Sequence, residues 1–143
     1  MTDPQAIDLT PAIEAIRAGT VVIYPTETVY GLGADATRTP AVEAVYAAKA
    51  RERSKPMSIA IASLATVYRY STPTDLAHRF MRAFLPGPVT VIAPRRTDVI
   101  VDAVTAGEPT VGIRLPAHPV AQRLLEAVDP IPLTATSANR SGA

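Results

Sequence analysis

Residues 20–33 read Thr20-Val-Val-Ile-Tyr-Pro-Thr-Glu-Thr-Val-Tyr-Gly-Leu-Gly33. The opening β-branched run predicts a short buried strand over Thr20–Tyr24. From Pro25 to Ala36 the chain turns to threonine and glycine, which reads as a loop. Loops leaving the ends of strands are where α/β sheets bind ligands. The loop offers hydroxyl groups, the Glu27 carboxylate and two glycines within a few residues. An ordinary capped turn, with Gly31 and Gly33 supplying positive φ, accounts for the same residues.

Working outward, Thr10 and Pro11 read as the cap and first turn of a helix over residues 10–18, with Gly19 as its stop. Thr39-Pro40 repeats that start and opens a helix to about Ala50. Met57–Ala62 reads as a strand, and Ser63 as the cap of a short helix through Tyr70. Thr74–Leu85 is an amphipathic helix ended by Pro86-Gly87-Pro88. Strands follow at Val89–Ala93 and Thr110–Leu115, with a turn-rich stretch between them. Pro119–Val128 is a helix with Val120, Leu124, Leu125 and Val128 on one face, and Pro132–Thr136 is a last strand. Strands and helices interleave, so the reading is α/β: an open, mixed, largely parallel sheet with flanking helices.

The chain has 143 residues, enough for one domain spanning 1–143. At 48% hydrophobic and 19% charged it carries a real core and is not a disordered tail. The 14 prolines fall at element boundaries and mark tight connections. With no cysteine, disulfides, thiolate nucleophiles and Cys-based zinc sites are excluded. No apolar run approaches membrane-spanning length. The start, Met1-Thr-Asp-Pro-Gln5, lacks the basic and apolar regions of a signal peptide. These features predict a cytoplasmic protein with no membrane contact. The final Ser137–Ala143 looks like a loop leaving a strand, and the expectation is a domain lacking its C-terminal portion.

Net charge is +1, which gives no global pull toward nucleic acid. Residues 49–100 nevertheless carry nine basic and three acidic groups, so an anion is expected there. Within them, Lys49-Ala-Arg-Glu-Arg-Ser-Lys55 closes a helix. Cations favour the negative end of a helix dipole, and the same cluster could clamp phosphate. Arg114 sits in the apolar run Thr110-Val-Gly-Ile-Arg-Leu-Pro116 and needs an anionic partner there. Glu27, another internal carboxylate or a substrate carboxylate would serve. Thr134-Ala-Thr-Ser-Ala-Asn139 ends the last strand in small polar groups, which suit either a ligand or an Asx turn. There is no P-loop, no dinucleotide fingerprint and no nucleophile elbow. His78 and His118, far apart in sequence, are read as structural.

Five segments in order, Tyr24–Gly33, Lys49-x-Arg51, Pro86-Gly-Pro-x-Thr90, Val111-Gly-Ile-Arg-x-Pro-x-His-Pro119 and Thr136-Ser-Ala-Asn139, resemble the YrdC/Sua5 family over about residues 10–142. The resemblance implies the family's twisted α/β sheet and a nucleotidyltransferase. That enzyme condenses L-threonine, bicarbonate and ATP to threonylcarbamoyl-AMP and pyrophosphate, for modification of tRNA at adenosine 37. It further implies Mg²⁺ with the ATP, a partner enzyme that transfers the threonylcarbamoyl group, and a tRNA contact. Carried over by position, Lys49, Arg51, Thr110, Ser137 and Asn139 would bind ATP, while Thr26, Tyr30 and Arg114 would bind threonine. No side chain is assigned as a catalytic acid or base, and none as a metal ligand; the chemistry rests on positioning and electrostatics. Glu52 stands where the family commonly has proline, and family members continue beyond the Ser-Ala-Asn segment. A non-catalytic RNA-binding module of the same fold is the alternative. The lack of tryptophan and the two phenylalanines weigh against base stacking.

Overall fold

The computed structural model describes residues 7–27, 30–50, 52 and 54–137. Two helices pack together on one face of a sheet. They are α1 (Thr10–Arg17) and α5 (Pro119–Val128), and Ile16, Ala121, Leu124, Leu125 and Val128 are buried between them and the sheet. Spacings of three and four place these α5 residues on one face, as the sequence predicts. Pro119 and Val120 begin α5, where the Val120 N–H donates to His118 Nδ1 at 3.1 Å. His118 is therefore a helix cap. In α1 the capping group is not Thr10, which lies inside the helix; Asp8 Oδ1 accepts from the Thr10 N–H at 3.0 Å.

The opposite face is covered by α2 (Thr39–Lys49), a 3-10 turn (Leu64–Arg69), α3 (Asp75–Phe84) and the short α4 (Asp102–Thr105). Thr74, read from the sequence as the first residue of this helix, instead caps α3 by accepting from the Ala77 N–H at 3.1 Å. Thr39 and Ser63 do not act as side-chain caps: Arg38 and Ser63 occupy those cap positions with no side-chain hydrogen bond. α4 falls in the stretch the sequence left as turns.

The strands are β1 (Val22–Pro25), β2 (Tyr30–Gly33), β3 (Ser58–Ala60), β4 (Gly87–Pro94), β5 (Thr110–Leu115) and β6 (Leu133–Ser137). They form one open sheet in the order β1-β2-β6-β3-β5-β4. The sheet is mixed with flanking helices, but it is not largely parallel. Only β3 and β5 run parallel; the other neighbours are antiparallel. Two of the antiparallel pairings are made by β2, which the sequence reading left inside a loop; β3–β6 and β4–β5 are the other two. Only residues 26–29 separate β2 from β1, too few for a crossover, so the two strands form a hairpin. Tyr-Gly-Leu-Gly has weak strand propensity, and that hid it.

Alternation along β5 sets what each face presents. Val111, Ile113 and Leu115 enter the core beneath α2 to α4. Thr110, Gly112 and Arg114 therefore point to the other face, the one that carries α1 and α5. Tyr24 and Leu133 lie on that face too.

Candidate functional site

Tyr24 is the floor of the site. Its ring lies over the two glycines of β2 and is 2% exposed. A Cβ at Gly33 would stand 2.7 Å from Tyr24 Cε1, and one at Gly31 2.9 Å from Tyr24 Cζ. These glycines are needed for close approach, not for positive φ, which neither adopts. The phenol donates to the Thr134 carbonyl at 3.2 Å. Burial pushes its ionisation far above the ordinary phenol range; nearby Arg114 opposes that shift and Glu27 adds to it.

Above this floor is a cavity of about 230 Å³. Thr26 and Tyr30, at the two ends of the β1–β2 connection, form one wall, with Tyr30 62% exposed. Arg114 and Pro116, at the end of β5, form another. Thr136 and Ser137 close it from β6. Three residues expected to bind threonine thus meet in one cavity, joined by one expected to bind ATP.

Arg114 has the anionic partner that its position demands. Its Nη2 lies 3.9 Å from Glu27 Oε1, with side chains 24% and 18% exposed. Glu27 Oε2 accepts from the Ala117 N–H at 3.0 Å, which ties the β1–β2 loop to the β5–α5 connection. Oε1 is buried and accepts no hydrogen bond among the described residues.

Lys49 ends α2 and is 2% exposed. Ala50, with φ +52°, breaks the helix just after it. The ammonium donates to the Ser137 carbonyl at 2.6 Å and to its hydroxyl at 3.2 Å. Lys49 and Ser137, expected together near ATP, are in direct contact at the edge of the cavity. Thr110 is exposed, shares the sheet face of Arg114 and lies four residues back along β5, about 13 Å away, outside the cavity wall. Arg51 and Asn139 lie outside the described residues.

Part of the excess of cations over residues 49–100 is engaged within the fold. Arg69 pairs with Asp129, Arg95 with Asp102 and Arg96 with Asp98. Those three guanidinium groups serve the fold, whereas Lys49 stands at the cavity edge and Arg114 lies in the cavity wall. Sequence reasoning assigned no role to Tyr24, and it named Glu27 only as one of several partners for Arg114. The signal was present for both: they lie in the Tyr24–Gly33 segment, to either side of the candidate Thr26.

Among the described residues, no helix is long and apolar enough to cross a membrane, and no cluster of His, Asp and Glu could hold a metal ion.

The family model Sua5_yciO_yrdC, described as "Telomere recombination", matches residues 14–143. A Bacillus subtilis protein named threonylcarbamoyl-AMP synthase is 41% identical over 141 residues, covering 98% of this chain and 40% of that protein. A Pyrococcus abyssi protein of the same name is 41% identical over 129 residues, covering 89% of this chain and 37% of its own length. The crystal structure of P. abyssi Sua5 complexed with L-threonine superposes with a TM-score of 0.87 at 39% identity, over 92% of this chain and 38% of that one. The chain therefore spans about two fifths of the length of these relatives. The match extends over nearly the whole chain and follows the sheet that holds Tyr24, Arg114 and Ser137 in place: the chain belongs to the Sua5/YciO/YrdC family.

Proposed function

We propose that this chain carries the threonine- and ATP-binding domain of a threonylcarbamoyl-AMP synthase. The observation that carries the reading is the convergence of Thr26, Tyr30 and Arg114 on one small cavity, with the Lys49–Ser137 pair at its edge. A planar guanidinium matches a carboxylate bidentately, and a cavity of about 230 Å³ suits an amino acid.

In this reading, Arg114 holds the threonine carboxylate and Thr26 and Tyr30 surround the rest of the amino acid. The threonine amine captures CO2 derived from bicarbonate, losing a proton. The resulting carbamate oxygen attacks the α-phosphorus of ATP, and pyrophosphate leaves. Magnesium enters as part of the MgATP substrate, on phosphate oxygens. Lys49, Arg51, Thr110, Ser137 and Asn139 are the residues proposed for the nucleotide. Thr110 sits on the same sheet face as Arg114, so an extended nucleotide could run along β5. The protein contributes orientation and charge compensation more than proton transfer. A partner enzyme would receive the adenylate and transfer its threonylcarbamoyl group to tRNA.

The test is pyrophosphate release from MgATP. Release that requires both L-threonine and bicarbonate is the expected result. Absence of threonine binding by calorimetry would refute the assignment of the cavity.

A further inference from the structure

We propose that Glu27 is a positioning residue that makes the cavity selective for an amino acid over a plain carboxylic acid of the same shape. The inference rests on the proposed threonine site and names what sets its selectivity.

Three observations lead to it. Among the described residues, Glu27 is held through one oxygen: Oε2 accepts from the Ala117 N–H, whereas buried Oε1 accepts no hydrogen bond from them. Oε1 faces Arg114 at 3.9 Å, beyond hydrogen-bond length. Arg114 itself lines the cavity, and Glu27 stands behind it. A buried carboxylate oxygen with no donor is costly unless a charge compensates it. Here the guanidinium compensates the charge without spending N–H donors on Oε1. Its fork toward the cavity is left to a ligand.

The Glu27 charge then decides which ligand fits. Arg114 in the wall and Lys49 at the edge both attract a carboxylate. Glu27, beside Arg114, opposes a ligand that carries only a negative charge. A zwitterion also brings an ammonium, which the Glu27 charge attracts and which offsets that opposition. Unscreened like charges several ångströms apart at a partly buried site are worth about 10-fold or more in affinity. Glu27 therefore acts through Arg114: it positions the guanidinium and sets the charge that the incoming ligand must match.

The experiment measures the dissociation constants of L-threonine and of 3-hydroxybutyrate, which is threonine with hydrogen in place of the amino group. The proteins are the wild-type chain, Glu27→Gln and Glu27→Asp. The wild type should prefer threonine by about 10-fold or more. Glu27→Gln keeps the shape and an acceptor for the Ala117 N–H but removes the charge. It should shrink the preference by about 10-fold, mainly through tighter binding of 3-hydroxybutyrate. Glu27→Asp keeps the charge and should keep most of the preference. If Glu27 served only to tie the two loops together, Glu27→Gln would move both constants equally, and an unchanged ratio overturns the proposal. A wild type that binds 3-hydroxybutyrate as tightly as threonine overturns it with no variant needed. A wild type that binds threonine, with a ratio insensitive to Glu27, refutes this inference and leaves the threonine site standing. A wild type that binds no threonine refutes both.

Discussion

Gly33→Ala tests how tightly the floor of the cavity is built. The added methyl would meet Tyr24 Cε1 at 2.7 Å and Cδ1 at 3.2 Å. Carbon atoms settle at about 3.5–4.0 Å, so the ring edge must retreat by about 1 Å. It has little room. Tyr24 is 2% exposed, also lies over Gly31, and is held by the hydrogen bond to the Thr134 carbonyl. Overpacking of this kind costs about 1–3 kcal/mol, and loss of the phenol bond adds about 1 kcal/mol. Replacing a strand glycine by alanine returns about 0.5–1 kcal/mol of chain entropy. The net loss is about 1–3 kcal/mol, or about 3–10 °C in melting temperature for a chain of this size. A displaced ring also intrudes on the cavity, so threonine affinity should fall with stability. The decisive comparison repeats Gly33→Ala in a Tyr24→Val background, where the ring atoms are gone. There the substitution should be neutral or mildly stabilising. An equal drop in melting temperature in both backgrounds would refute the argument, because the cost would then not come from the ring.

Other predictions follow from the same contacts. The folded-state phenol of Tyr24 is raised above its ordinary value of 10.0, so below that pH it makes no difference to stability. Above it the unfolded chain loses the proton and the folded chain keeps it, and stability falls by up to about 1.4 kcal/mol per pH unit. Tyr24→Phe should remove that part of the alkaline slope, leaving the contribution of Tyr70, whose phenol is also raised by burial; urea midpoints at neutral and alkaline pH measure it. Arg114→Lys should weaken threonine binding by about 10-fold although charge is kept, because an ammonium cannot copy the planar fork; normal affinity by calorimetry would move the carboxylate role elsewhere. Lys49→Met removes two charge-assisted hydrogen bonds to Ser137 and should lower stability by about 1.5–3 kcal/mol. In the same variant, ATP affinity should fall more than threonine affinity, and equal losses would argue for a purely structural lysine.

Helix α5 was legible because its information is local. The spacing of Val120, Leu124, Leu125 and Val128 already defines the buried face, and Pro119 marks the start. The α3 boundary was legible for the same reason, since Thr74 both precedes the periodic run and caps it. β2 was not. Its strand character comes from pairing with β1 and β6 and from the Tyr24 ring on its glycines, neither of which its own four residues encode. Missing it also hid two of the four antiparallel pairings in the sheet.

The candidate site divides the same way. Sequence motifs determined which residue types stand at Thr26, Lys49, Arg114 and Ser137, because side-chain chemistry is written residue by residue. Which of them meet was decided by strand register. The register sets Gly31 opposite Ser137 and carries Tyr30 and Ser137 to one cavity, while β5 runs past at the level that brings in Arg114. The ion pair of Arg114 with Glu27 and the contact of Lys49 with Ser137 each join segments 87 or 88 residues apart. No local pattern specifies such distances. They follow from burying both faces of the sheet at once, which only the assembled fold can do.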